Sequence, residues 1–214
     1  MLLTIKVTVY WGSQQHQVEA RQLPSAPLPE IFAGLSPGDR LVVARFATLW
    51  LQAFDNQPGI SMSFQQLAYP DLVDWLDLIL SLEPKAHYPL LLASRVYGEV
   101  GDRDRQRQMF VWVEQAFLED PERRWRWLAH AVLVARHGMQ DQQFALDLAR
   151  SLSGQPAGVG IPGWARQMEI FLLEQMGFAD AAAALLGGVL ESGTVTDPAE
   201  QRFLLERLQA LGGE

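Results

Sequence analysis

Asp71, Asp74 and Asp77 recur every third residue in "YPDLVDWLDLIL", a spacing that a helix turns into one acidic stripe. Paired carboxylates of that kind can share acid and base roles, as in glycoside hydrolysis. The simpler assignment is a solvated face, because acids near a helix N-terminus are favoured by the dipole. His130 and His137 stand two turns apart on one predicted helix, about 10.5 Å by rise. Zinc-binding helices use an i, i+4 pair with a nearby carboxylate, and His16 and His87 lie elsewhere, so the expectation is partly buried helix histidines and no metal. "PERRWRWLAHA" (121–131) mixes Arg123, Arg124 and Arg126 with Trp125 and Trp127, the residue types of a stacking platform for single-stranded nucleic acid. Glu119, Asp120 and Glu122 precede them and cancel the local charge. Trp125, Leu128 and Val132 fall at i, i+3 and i+7, which predicts a core helix with paired arginines. No Gly-x-Ser-x-Gly, phosphate-cradling glycine loop or His-Glu-x-x-His is present, so no cofactor is expected.

Composition narrows the partners. The chain has 214 residues, 49% of them apolar, and a formal net charge of −8. It can bury one sizeable core or two small ones, and as a whole it repels nucleic acid and anionic membranes. Of the 17 basic residues only Lys6 and Lys85 are lysine, which favours fixed, paired contacts over a diffuse cationic coat. There is no cysteine and hence no disulfide, thiolate nucleophile or cysteine zinc site. No run of about 18 apolar residues is present to span a bilayer, and "MLLTIKV" is too short for a signal peptide. A cytoplasmic protein is expected; an anchor preceding residue 1 would instead set the same domain on a membrane face, in an envelope complex.

The elements that must position these residues begin with Ile5, Val7, Val9 and Trp11, which alternate with polar residues, and Gly12-Ser13 then marks a turn. This predicts a small N-terminal β-hairpin, followed by the proline-rich connector "LPSAPLPE". Residues 1–28 are therefore assigned to a β element and connector, and 29–214 to a helical domain. Ser36 as N-cap, Pro37 at the first position and Asp39 in the first turn predict the start of a helix through residue 55. Its polar residues Arg45, Thr48, Gln52 and Asp55 form one narrow stripe, which predicts burial on most other sides. A loop is expected over 56–63 and a helix over 69–82.

From there the chain recurs. Pro84 and Pro121 lie 37 residues apart, each followed four residues later by an aromatic, Tyr88 and Trp125. Ala93 and Ala129 then match, and Gly101, Gly138 and Gly177 mark expected helix ends before second helices over 105–119, 142–153 and 179–192. Trp164 and Ala165 begin a looser third unit, which carries an extra glycine-proline loop over 154–163. Helix pairs at this period point to a solenoid. Asp197, Pro198 and Glu200 predict a capping box on a last helix. Gly187-Gly188, in mid-helix, is read as a point of close helix approach across the Ala181–Ala184 face.

The order of aromatic, alanine, glycine turn and proline over residues 84–190 resembles the tetratricopeptide repeat, whose unit is slightly shorter. Segments such as "YPLLLASRVY", "RRWRWLAHA" and "WARQMEIFLLE" also resemble a proteobacterial family that brings no activity with it. The resemblance implies an all-α, tetratricopeptide-like antiparallel helix-pair solenoid whose concave groove binds a protein or peptide partner. Arg95, Tyr97, Arg136 and Trp164, on the first helices of the pairs, are the candidate anchors. The expected function is a non-catalytic interaction scaffold; the alternative is an all-α enzyme using the acidic stripe.

Overall fold

A computed structural model describes residues 22–34, 39–55 and 67–212. The expected N-terminal hairpin, the 56–63 loop, and Ser36 and Pro37 lie outside them. Among the described residues the protein is all-helical and has no strand. The chain divides into two compact units, Met1–Glu83 and Pro84–Glu214.

The first unit contains α1 (Pro29–Gly34), α2 (Arg40–Asp55) and α3 (Tyr69–Leu82). Asp39 is the cap of α2, outside its first turn: its carboxylate accepts from the amides of Leu41 at 3.1 Å and Val42 at 3.2 Å, satisfying two donors that the helix leaves orphaned. The bounds of α3 are those its periodicity predicts, and Pro70 occupies its first turn. α2 packs on α3, with Val43, Ala44, Ala47 and Leu51 buried on one side and Leu72, Trp75, Leu76 and Ile79 on the other. The Trp50 and Trp75 rings lie 4.4 Å apart, and Trp75 Nε1 donates to the Pro24 carbonyl at 2.7 Å.

The expectation that α2 is wet only along its polar stripe is overturned. Thr48, from that stripe, is buried and donates back to the Ala44 carbonyl at 2.8 Å. Phe46 is 71% exposed, and Val42 and Leu49 are exposed beside it. The neighbouring helices cover only part of its circumference, so surplus apolar residues stay open, Val42 and Phe46 along a cleft shared with Trp75 of α3.

The second unit begins with α4 (Tyr88–Leu91), continued by a π-helical turn (Leu92–Val96) and a 3-10 turn (Tyr97–Glu99). α5 (Arg103–Glu119) and α6 (Pro121–Leu133) follow, and a second π-helical turn, Val134–Gly138, prolongs α6. Then come α7 (Gln142–Ser153), α8 (Gly163–Arg166), α9 (Met168–Gln175), α10 (Ala179–Glu191) and α11 (Pro198–Leu211). Each long helix packs on the next: α5 on α6, α6 on α7, α7 on α9, α9 on α10 and α10 on α11. Their inward faces form a core that includes Phe110, Phe117, Leu128, Val132, Leu148, Leu173, Leu186 and Leu204.

Aspartate caps punctuate this unit. Asp102, Asp120, Asp141 and Asp197 each accept from amides of the helix they precede. Left-handed residues stand just before two of the caps, Gly101 (φ 76°) and Gln140 (φ 55°), and Gly177 (φ 85°) holds the same conformation before α10. Gly138 is the last residue of the π turn and so ends its helix as expected, while the left-handed residue after it is Gln140.

Two further expectations are corrected. Glu200 does not close a capping box; its carboxylate accepts from Gln167 Nε2 at 2.6 Å, a partner at the junction of α8 and α9. Gly187 and Gly188 make no close helix approach, since a Cβ at either would meet nothing within 4 Å. Only Ala182 and Leu186 of α10 turn fully inward, leaving Ala181 and Ala184 exposed.

Candidate partner-binding groove

The two π turns of the second unit face one groove. In each, an amide bonds five residues back: Tyr97 to Leu92 and Met139 to Val134. Such turns insert an extra residue into a helical turn and recur at functional sites. The groove, of about 640 Å³, takes Arg95 from the first and Val134, His137 and Gly138 from the second. Leu133 and His130 of α6, Arg103 and Gln106 of α5, and Glu99 complete its wall. Gln106 is buried and anchored by its Nε2, which donates to the Gly98 carbonyl at 2.9 Å. Gly98 is itself pressed against α5, where a Cβ would lie 2.6 Å from Phe110 Cε1.

His130 organises the polar wall. Arg95 Nη1 lies 3.3 Å from its Nδ1, and Glu99 Oε1 lies 3.0 Å from its Nε2. A guanidinium only donates, so Nδ1 accepts and the ring proton sits on Nε2, donating to Glu99. Burial lowers the His130 pKa below its ordinary value; the Arg95 charge acts in the same sense, and hydrogen bonds to Glu99 and to the Ser94 backbone oppose both. The imidazole is therefore neutral at pH 7.

Half of the arginines of this unit, six of twelve, form ion pairs with carboxylates. Arg107 pairs with Asp141, Arg123 with Asp120 at 2.7 Å, Arg150 with Asp147 at 3.3 Å, and Arg207 with Glu174 at 2.5 Å. Arg95 and Arg103 are among those that no carboxylate pairs with among the described residues, and they are the two arginines whose exposed side chains lie in the groove wall.

Of the anchors expected from sequence, Arg95 lines this groove. Tyr97 is 0% exposed and belongs to the interior, so no partner on the surface touches it. Arg136 is half-buried and outside the groove wall. Trp164 is 53% exposed and meets Trp125 edge-on, ring centroids 5.5 Å apart. Sequence reasoning missed Arg103, Gln106 and Glu99, and considered His130 and His137 only as metal ligands or core residues. The available signal was the stripe Arg126, His130, Leu133, His137, spaced 4, 3 and 4 along one helix face.

The basic-aromatic stretch is a helix start in which Arg123 and Arg124 pair with carboxylates, while Arg126 lies 6.0 Å from the Trp125 ring centroid. Arg124 is 4% exposed and donates to the carbonyls of Ala116 at 2.6 Å and Pro84 at 2.9 Å, and to Glu119 at 3.0 Å. In the first unit, Asp71 accepts from Ser25 Oγ at 3.0 Å, while Asp74 and Asp77 are exposed. The apolar cleft beside them, bounded by Phe46, Trp50 and Trp75, has no carboxylate in its wall among the described residues. No group of three or more His, Asp or Glu residues is placed to hold a metal ion among the described residues.

No protein family, curated protein or solved structure matches this chain. Among the described residues, no helix is long and apolar enough to cross a membrane.

Proposed function

We propose that the second unit is a non-catalytic interaction module, a tetratricopeptide-like helix-pair array that receives a segment of a partner protein in the groove between its first two pairs. The observation that carries this reading is the groove itself: two π turns open onto it, and Arg95 and Arg103 face it without a carboxylate partner among the described residues. The recurrence of a left-handed residue followed by an aspartate cap at 101–102 and 140–141 supports the repeat. A rigid helical scaffold with a few arginine anchors and an apolar footing, here Leu133 and Val134, matches the way most binding energy concentrates in a handful of residues.

The test is site-specific photocrosslinking in the native host, with a photoreactive residue at Leu133 in the groove or at Leu185 on α10. A discrete, saturable adduct from Leu133 and none from Leu185 supports the reading. Equal adducts from both positions, or none from either, overturn it.

A further inference from the structure

Resting on that reading, we infer that the partner segment is an acidic and aliphatic peptide, with carboxylates held by Arg95 and Arg103 beside an apolar side chain seated on Leu133 and Val134. Four observations lead there. First, the charges in the groove wall are Arg95 and Arg103 against Glu99, and one Glu99 oxygen already accepts from His130. The wall is therefore cationic within a molecule of net charge −8. Second, Arg95 is tethered through a single nitrogen to an imidazole, an uncharged acceptor. That leaves the rest of its fork of five donors for bidentate recognition of a carboxylate.

Third, Arg103 is the first residue of α5, where the helix dipole disfavours a cation. Its sequence neighbours form no ion pair with it: the Asp102 carboxylate accepts from the amides of Asp104 at 3.1 Å and Arg105 at 3.2 Å and lies 3.9 Å from the Arg105 guanidinium, and neither Asp102 nor Asp104 lines the groove. An anion supplied from outside offsets that cost. Fourth, Leu133 is 45% exposed and Val134 half-buried within the same wall, so the groove offers apolar contact next to its cations. A phosphodiester chain or an anionic headgroup could meet those cations but makes no use of the apolar footing of Leu133 and Val134. An extended acidic peptide with alternating aliphatic side chains uses both.

The probe is a fluorescein-labelled peptide, acetyl-Gly-Glu-Leu-Glu-Leu-Glu-Gly-amide, titrated with the full chain and read by anisotropy. Its counterpart carries glutamine for every glutamate. Binding of the glutamate peptide is expected, with the glutamine peptide at least about tenfold weaker. Arg95→Gln and Arg103→Gln should each weaken the glutamate peptide about tenfold, the scale of one charged hydrogen bond. Arg123→Gln, whose guanidinium already pairs with Asp120, should leave it unchanged. Circular dichroism confirms that each variant folds.

No binding of the glutamate peptide, equal binding of the glutamine peptide, or indifference to both groove arginines overturns the inference. Displacement by inorganic phosphate at concentrations below those of free peptide that compete also overturns it, reassigning the groove to a phosphate group. The photocrosslinking above separates the two claims. An adduct at Leu133 without peptide binding sinks only the acidic class, whereas peptide binding without an adduct sinks the interaction module and leaves the site.

Discussion

Arg95 and His130, 35 residues apart in sequence, meet at 3.3 Å through a guanidinium nitrogen and the imidazole Nδ1. That bond exists only while Nδ1 carries a lone pair, so it ties the first helix of the unit to α6 through the neutral form of one histidine. Protonation would set an N–H against the guanidinium while leaving the Glu99 contact intact. Arg95, Glu99, Arg103 and His137 are the charged and titratable side chains that share the groove wall with it.

His130 should therefore titrate below its ordinary value of 6.5. The unfolded chain takes up this proton near that value and the folded chain only at lower pH. Between the two the unfolded state binds more protons, so the histidine contributes a loss of stability that begins as pH falls below 6.5 and is complete below the folded pKa. Histidine-resolved NMR should place the pKa under 6.5, and His130→Gln should flatten the pH dependence of Tm below that pH. A folded pKa of 6.5 or higher would contradict the arrangement.

Two glycines should respond to alanine with opposite signs. At Gly98 a Cβ would lie 2.6 Å from the Phe110 ring and 2.8 Å from the Ala93 carbonyl. The second of these is backbone and cannot swing aside, so Gly98→Ala should cost about 1–3 kcal/mol. Gly188 sits in mid-helix with open space around it. Gly188→Ala should stabilise the unit by about 0.5–1 kcal/mol. Urea melts of both variants check the pair, and a stabilising Gly98→Ala would refute the packing.

Arg123 and Arg124 are neighbours with unequal roles. Arg123 forms an exposed ion pair one turn long with Asp120, and Arg123→Met should change stability by less than about 1 kcal/mol. Arg124→Met leaves the Ala116 and Pro84 carbonyls without their donors and should cost about 3 kcal/mol. Equal costs in chemical denaturation would count against the buried network.

The glycine-proline loop that interrupts the third unit is held by Arg166. Its guanidinium donates to the carbonyls of Gln155 at 2.6 Å, Pro156 at 2.7 Å, Val159 at 3.1 Å and Ile161 at 3.3 Å. Arg166→Ala should speed limited proteolysis within residues 154–162 roughly tenfold, as the loop's local opening becomes easier. Arg166→Lys should not restore protection, because an ammonium lacks the planar fork that reaches four carbonyls. Mass spectrometry of the fragments reads the site of cleavage.

The sequence by itself determined where helices form and how several begin. The periodicity of 69–82 and 142–153 matches α3 and α7 residue for residue, and Asp197 followed by Pro198 caps α11 as that pairing predicts. Acidic residues beside Arg123 and Arg124 likewise announced partnered arginines. These are local properties, set within one or two turns of chain by side-chain spacing, dipole and cap chemistry. The tertiary structure alone decided which residues face the groove. Arg95 is exposed and Tyr97 buried, although both were candidate anchors on one helix. The π turn at Leu92–Val96 adds a residue to its helical turn, so every side chain after it departs from the 3.6-residue phase that periodicity assumes. Where that shift falls depends on what packs beyond it: Gly98 against Phe110, and Gln106 bonded to the Gly98 carbonyl. Arg103 and His130 reach the same wall only because α5 and α6 pack against that helix, a relationship that no spacing within either segment contains.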